Sequence, residues 1–210
     1  MFVFILSILC VAWATPATKL TGKFNISGSS FGGKVPGEIY LGDNGDFHIQ
    51  LLRPSGLSIL TLTSTKDEVC FLFDFDSTQY QGSHEDFSAL SNQNLKVSEF
   101  HLIFAPAPDT QPDWTWDWNN KNRKIRRLSI PFNEEETLLK VQYNQWRKDQ
   151  PNKFSLHILE SDWKLKANLQ KRERVDWTFS CEVPEGTEIL PLKKITESIS
   201  SSEQPNRSKE

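Results

Sequence analysis

Metal-site cysteine patterns are missing from this sequence. It has three cysteines in 210 residues, Cys10, Cys70 and Cys181, with no Cys-x-x-Cys pair and no Cys/His cluster. That leaves out zinc ribbons and other sites defined by ligand spacing. A surplus of basic charge is missing too. Lys and Arg number 24 against 27 Asp and Glu, a net charge of −3, whereas a dedicated nucleic-acid binder carries a basic excess. No apolar run is long enough to span a bilayer as a helix, which takes roughly 17 residues or more. HExxH and P-loop motifs are absent. The histidines His48, His84, His101 and His157 have no ligand-like spacing and read as solvated side chains. Asp74 and Asp76 have no EF-hand loop around them, and Glu134-Glu135-Glu136 reads as a solvated turn. The expectation is a protein that is not an enzyme, with no metal and no cofactor.

Charge is also absent from the first fourteen residues, MFVFILSILCVAWA. An apolar stretch closing on Ala12-Trp13-Ala14 reads as a secretory signal over residues 1–14 with a small-x-small cleavage site, although its n-region lacks Lys and Arg. The mature chain then starts at Thr15. Cys10 could be a lipid-anchor site, but Leu9 is too large for the residue that precedes a lipidated cysteine. An exported protein can pair Cys70 with Cys181. Alternation puts Cys181 with Val175, Trp177 and Phe179, and Cys70 with Leu72 on the face opposite Phe71 and Phe73. That arrangement keeps the two apart, and spacing alone leaves the pairing open.

What the sequence has in quantity is alternation and aromatics: 14 Phe and 7 Trp. From Leu20 to Gln81, period-2 runs are separated by turns at Gly28–Gly33, Gly42–Gly45, Arg53–Gly56 and Lys66-Asp67, which predicts an antiparallel meander. Ser83 caps a helix over His84–Asn92. Leu95–Phe104 reads as a short helix or turn, and the proline-rich Ala105–Pro112 as a loop. Strands return at Lys124–Phe132, Thr137–Trp146, Lys153–Leu159, Asp162–Gln170 and Val175–Cys181. The predicted fold is mainly β with a few helices: a single curved antiparallel sheet of about ten or eleven strands, forming an incomplete barrel lidded by the mid-chain helices. One domain covers residues 15–193, and 194–210 is a polar tail without a core. Trp114, Trp116 and Trp118 read as pocket lining or packing rather than a sugar platform. The basic run Lys121–Arg127 reads as an outer strand face.

Two stretches resemble the LolA/LolB-like lipoprotein carriers, most closely the outer-membrane lipoprotein receptor LolB. The first is GDFHIQLLRPSGLSILTLTSTKDEVCFLFDFDSTQYQGSHEDFSAL, residues 45–90. The second is KVQYNQW, QPNKFSL and DWKLKANL between Leu138 and Leu169. The resemblance implies a half-barrel with an apolar cavity for lipoprotein acyl chains or other lipids. It also implies a place in the periplasm or on the periplasmic face of the outer membrane, exchange with a periplasmic carrier protein, and a monomer. In the receptor a protruding loop carries an exposed leucine. Here that loop is Pro54, Ser55, Gly56 and Leu57, with Ser55 at the family's leucine position and Leu57 two residues later. Leu57 either projects from the tip or begins the next strand beside Ile59. These departures leave a soluble carrier open beside a receptor.

The candidate lipid-contact set is the expected inner face: Phe24, Ile26, Ile39, Leu41, Phe47, Ile49, Leu51, Leu60, Leu62, Phe71, Phe73, Val141, Tyr143, Phe154, Leu156, Ile158, Trp163, Leu165, Trp177 and Phe179. Strands around a cavity and strands around a filled core share one period, so both interiors stay open. The alternative functions are an exported small-ligand or carbohydrate binder, and an envelope interaction protein without a ligand.

Overall fold

Tight turns set the first half of the chain. At the β2–β3 turn Gly45 takes φ 92°, Asn44 Oδ1 accepts from the Asp46 amide at 3.2 Å, and the Gly42 amide donates to the Asp46 carbonyl at 2.8 Å. Such turns join strands of alternating apolar and polar residues, which can only pair with their neighbours. The structure, a computed structural model, describes residues 14–28, 32–73, 77–90, 97–107, 114–131, 137–158 and 164–194. The signal segment, Asp74, Asp76, Glu134–Glu136, Trp163 and most of the C-terminal tail lie outside these residues.

Strands β1 (Thr15–Ser27), β2 (Gly32–Gly42), β3 (Phe47–Leu52), β4 (Ser58–Ser64), β5 (Val69–Phe73) and β6 (Thr78–Gly82) form the first meander. Helices α1 (His84–Leu90) and α2 (His101–Phe104) follow, the second led in by a 3-10 turn over Val97–Phe100. Strands β7 (Thr115–Asn119), β8 (Lys124–Pro131), β9 (Thr137–Arg147), β10 (Gln150–Ile158) and β11 (Lys164–Trp177) form the second meander, and β12 (Glu188–Pro191) ends the sheet. Among the described residues all twelve strands make one open, curved sheet in the order β12-β6-β5-β4-β3-β2-β1-β11-β10-β9-β8-β7. The long antiparallel β1–β11 pair stitches the two meanders together.

The sheet differs from expectation in two ways. It holds a short edge strand, β12, that alternation did not single out and that runs parallel to β6. The two expected strands Asp162–Gln170 and Val175–Cys181 are one strand, β11, with a bulge: Thr21 pairs with Lys171 but Gly22 with Leu169, so Gln170 is the extra residue. A bulge shifts the alternation by one, which turns every later side chain to the other face.

The helix signals act locally as read. The Asp86 amide donates to Ser83 Oγ at 3.1 Å and the Ser83 amide to Asp86 Oδ2 at 2.8 Å, a reciprocal cap. The inner face of the sheet packs against α1, the 3-10 turn and α2. Leu102, Ile103 and Phe104 are buried there, and Tyr143 Oη donates to the Ile103 carbonyl at 3.1 Å. Phe104 meets Phe154 edge to face, and Phe87 stacks on Phe71.

Candidate functional site

The inner face is built from facing apolar residues on successive strands. Ile39 pairs with Ile49, Ile49 with Leu62, Leu62 with Phe71, and Leu60 with Phe73. Gly37 keeps the layer flat, because a Cβ there would come within 2.7 Å of the Phe24 ring. Phe24, Ile39, Leu41, Phe47, Leu51, Val141, Tyr143 and Phe154 are buried. The middle of the face is therefore a filled core, closed by the Leu102–Phe104 side chains, rather than an open trough.

Around that core the apolar side chains are only half buried. Ile49, Leu60, Leu62, Phe71 and Phe73 form one group on β3–β5, beneath Phe87 of α1. Ile26, Leu165 and Leu156 form another, in register across β1, β11 and β10. Ile158 pairs with Leu139 in the backbone ladder. The second group lies at the sheet end that carries the β3–β4 loop. In that loop the Arg53 amide donates to the Leu57 carbonyl, Gly56 takes φ 86°, and Leu57 is 65% exposed. Leu57 is therefore exposed where the loop closes against Arg53, and β4 begins one residue later.

Two expected inner-face residues are elsewhere. The Gln170 bulge turns Trp177 to the outer face, where it stacks on Tyr40 with ring centroids 3.8 Å apart. Phe179 follows, beyond the end of β11, beside Gly42. From there residues 178–187 cross the outer face as a strap toward β12. At ~3.3 Å per extended residue they reach over several strands. A Cys70–Cys181 disulfide ties the strap to β5. The opposite-face argument against that bridge fails because the bulge reverses the face of Cys181's approach.

Under the strap lies a cavity of about 450 Å³, lined by polar and apolar groups of β3–β6, the end of β11 and the strap, including His48, Thr63, Leu72, Gln79, Trp177 and Glu182. His48 is not a solvated histidine: its Nδ1 lies 2.8 Å from Thr63 Oγ1, and burial pushes its pKa down to about 4 against a weak opposing pull from Glu38. Trp177 Nε1 and Gln79 Nε2 are buried there without a hydrogen-bond partner. Neither the strap nor this cavity was foreseen; the one signal was the pair of cysteines.

Trp114 is buried and tilts against Trp116 at 5.9 Å, both on the core, while Trp118 on the edge strand is exposed. In the basic run, Arg126 bridges Asp117, and Lys124 bridges Asp149. Gly28-Ser29-Ser30-Phe31-Gly32 has the spelling of a nucleophile elbow, but it joins two paired antiparallel strands, whereas that motif needs a strand-to-helix turn. Its residues 29–31 lie outside the described residues. Among the described residues no group of three or more His, Cys, Asp and Glu could hold a metal ion.

No family model matches the sequence, and no curated protein matches it. Solved structures do. A domain provisionally described as an outer membrane lipoprotein-sorting protein from Vibrio parahaemolyticus aligns with TM-score 0.51 and 5% identity, over 88% of this chain and 91% of that one. The chain has the fold of that lipoprotein-sorting domain. A LolA superfamily protein from Nitrosomonas europaea aligns at TM-score 0.49 with 8% identity, over 76% of this chain and 86% of that one.

Proposed function

We propose that this protein binds lipoprotein acyl chains between the concave face of its sheet and the short helices, and delivers them at the periplasmic face of the outer membrane as LolB-like proteins do. The observation that carries this reading is the set of half-buried apolar side chains around a core that, among the described residues, is roofed by two short helices and a 3-10 turn. Each methylene moved there from water gains about 0.8 kcal/mol, so a partly inserted acyl chain can displace α1 and keep its binding energy. The candidate contacts are Ile26, Ile49, Leu60, Leu62, Phe71, Phe73, Leu156 and Leu165. The buried members of the inner face form the wall behind them. Leu57, at the same sheet end as Ile26 and Leu165, is the insertion residue. Export follows from cleavage after Ala14, and terminal sequencing of the mature protein should find Thr15.

The test is saturable binding of a fluorescent palmitoyl probe to delipidated protein. Leu62→Arg should abolish it while circular dichroism stays unchanged. A folded wild type that binds no acyl probe overturns the reading. The cavity under the strap, lined by His48, Thr63, Gln79 and Glu182 together with Leu72, Trp177 and the disulfide, supports a second reading, an exported small-ligand binder. That reading predicts binding of a small polar solute unaffected by Leu62→Arg. The tryptophan cluster gives a sugar no platform, since Trp114 and Trp116 pack on the core.

A further inference from the structure

A second binding feature lies at the other end of the sheet from Leu57 and does not depend on the acyl-chain reading. The β10–β11 ladder starts at Lys153 opposite Asn168, whereas β11 runs on beside β1 to Trp177. Past Asn168, therefore, the tip of the β9–β10 hairpin stands away from β11 and leaves a gap. The gap is a cavity of about 400 Å³ with Leu20 and Leu169 in its lining. Its charged lining is all of one sign: Arg147 and Lys148 from the hairpin, Lys171 and Arg172 from β11.

Arg172 is the central member. The Gln170 bulge places it opposite Leu20, against the core, and its Nη2 is buried with no hydrogen-bond partner. Burial lowers its pKa from the usual arginine value, and among the described residues no carboxylate pairs with it to offset that. Lys171 has Glu173 at 2.6 Å, and Asp149 at the hairpin tip is taken by Lys124. Arg147 and Lys148 are exposed and free to close over the gap, with Lys148 held in the turn at φ 57°. A half-buried guanidinium without its own counter-charge is costly unless an anion completes it, and a planar fork of donors suits a tetrahedral oxyanion.

We propose that the gap between the β9–β10 hairpin and β11 is a binding site for a phosphate ester, held by Arg172 with Arg147 and Lys148. The same chemistry is offered by a lipid headgroup and by a soluble phosphate. Calorimetry on the full mature protein at low salt distinguishes them, using inorganic phosphate and dihexanoyl phosphatidylglycerol as probes. Binding of the phospholipid alone assigns the site to a headgroup; binding of inorganic phosphate assigns it to the free anion. In either case Arg172→Gln should weaken binding by about tenfold, and Arg147→Gln by a smaller factor, as expected for charge-assisted contacts of unequal burial. Arg147 is exposed, so its variant tests the site even if Arg172→Gln fails to fold. A folded wild type that binds neither probe overturns the proposal. So does binding that both variants retain in full. The palmitoyl probe, run in parallel, reports the acyl site separately, so failure of one reading is distinguishable from failure of the other.

Discussion

His48 and Leu57 are the side chains whose surroundings make the sharpest predictions. Buried His48 takes its proton near pH 4 in the fold but near 6.5 when unfolded. Between those values the unfolded chain holds more protons, so stability is complete above about pH 6.5 and is lost as pH falls toward 4. The whole loss amounts to about 3 kcal/mol. We expect His48→Gln to flatten the dependence of urea-unfolding free energy on pH between 7 and 4.5. An unchanged slope would remove His48 as its source. Leu57 is 65% exposed, so Leu57→Glu should alter unfolding free energy by no more than about 0.5 kcal/mol, while delivery of acyl cargo to liposomes is lost. The sequence left Leu57 undecided between loop tip and strand. Alternation cannot say where a hairpin ends, and the turn closed by Gly56 decides it.

Bulges and the strap govern what can be said of elements. The sequence located most strands, both ends of the meander turns and the cap of α1, since each rests on residues adjacent in the chain. It misassigned Trp177 and Phe179 because one extra residue, Gln170, reverses a strand's faces and has no signature in composition. Gly22, which faces that bulge, has no room for a side chain: a Cβ would lie 2.6 Å from the Asn168 carbonyl oxygen. We expect Gly22→Ala to destabilise the protein by about 1–3 kcal/mol through forced separation of β1 and β11, measured by chemical denaturation. The strap was illegible because it depends on a crosslink between residues 111 apart in sequence. Replacing Cys70 and Cys181 together with Ala should cost about 2–5 kcal/mol. Acyl-probe binding should persist, since the strap and the concave face lie on opposite sides of the sheet. Loss of that binding in a folded double variant would place the strap in the acyl site after all.

At the scale of the whole molecule, the open curved sheet with helices on one face was readable from period-2 patterning and strand number. Whether its interior was full was not, because a filled core and a lined cavity have the same alternation. Leu102, Ile103 and Phe104 fill it from a segment whose short turns carry little periodic signal. Gross exchange of the core should be poorly tolerated: Phe154→Ala, which removes a ring packed on Phe104 and Tyr143, is expected to cost about 3–5 kcal/mol by thermal or chemical unfolding. The β1–β11 pairing also imposes an order in time. Synthesis proceeds from the N-terminus at ~5–20 residues per second, so β1 waits on the order of ten seconds, while about 140 further residues are made, before β11 exists. Throughout that interval one long edge of β1, and the apolar residues that β11 will cover, have no native partner. The newborn chain is in this respect a half-built sheet whose central seam closes only when the second meander is complete.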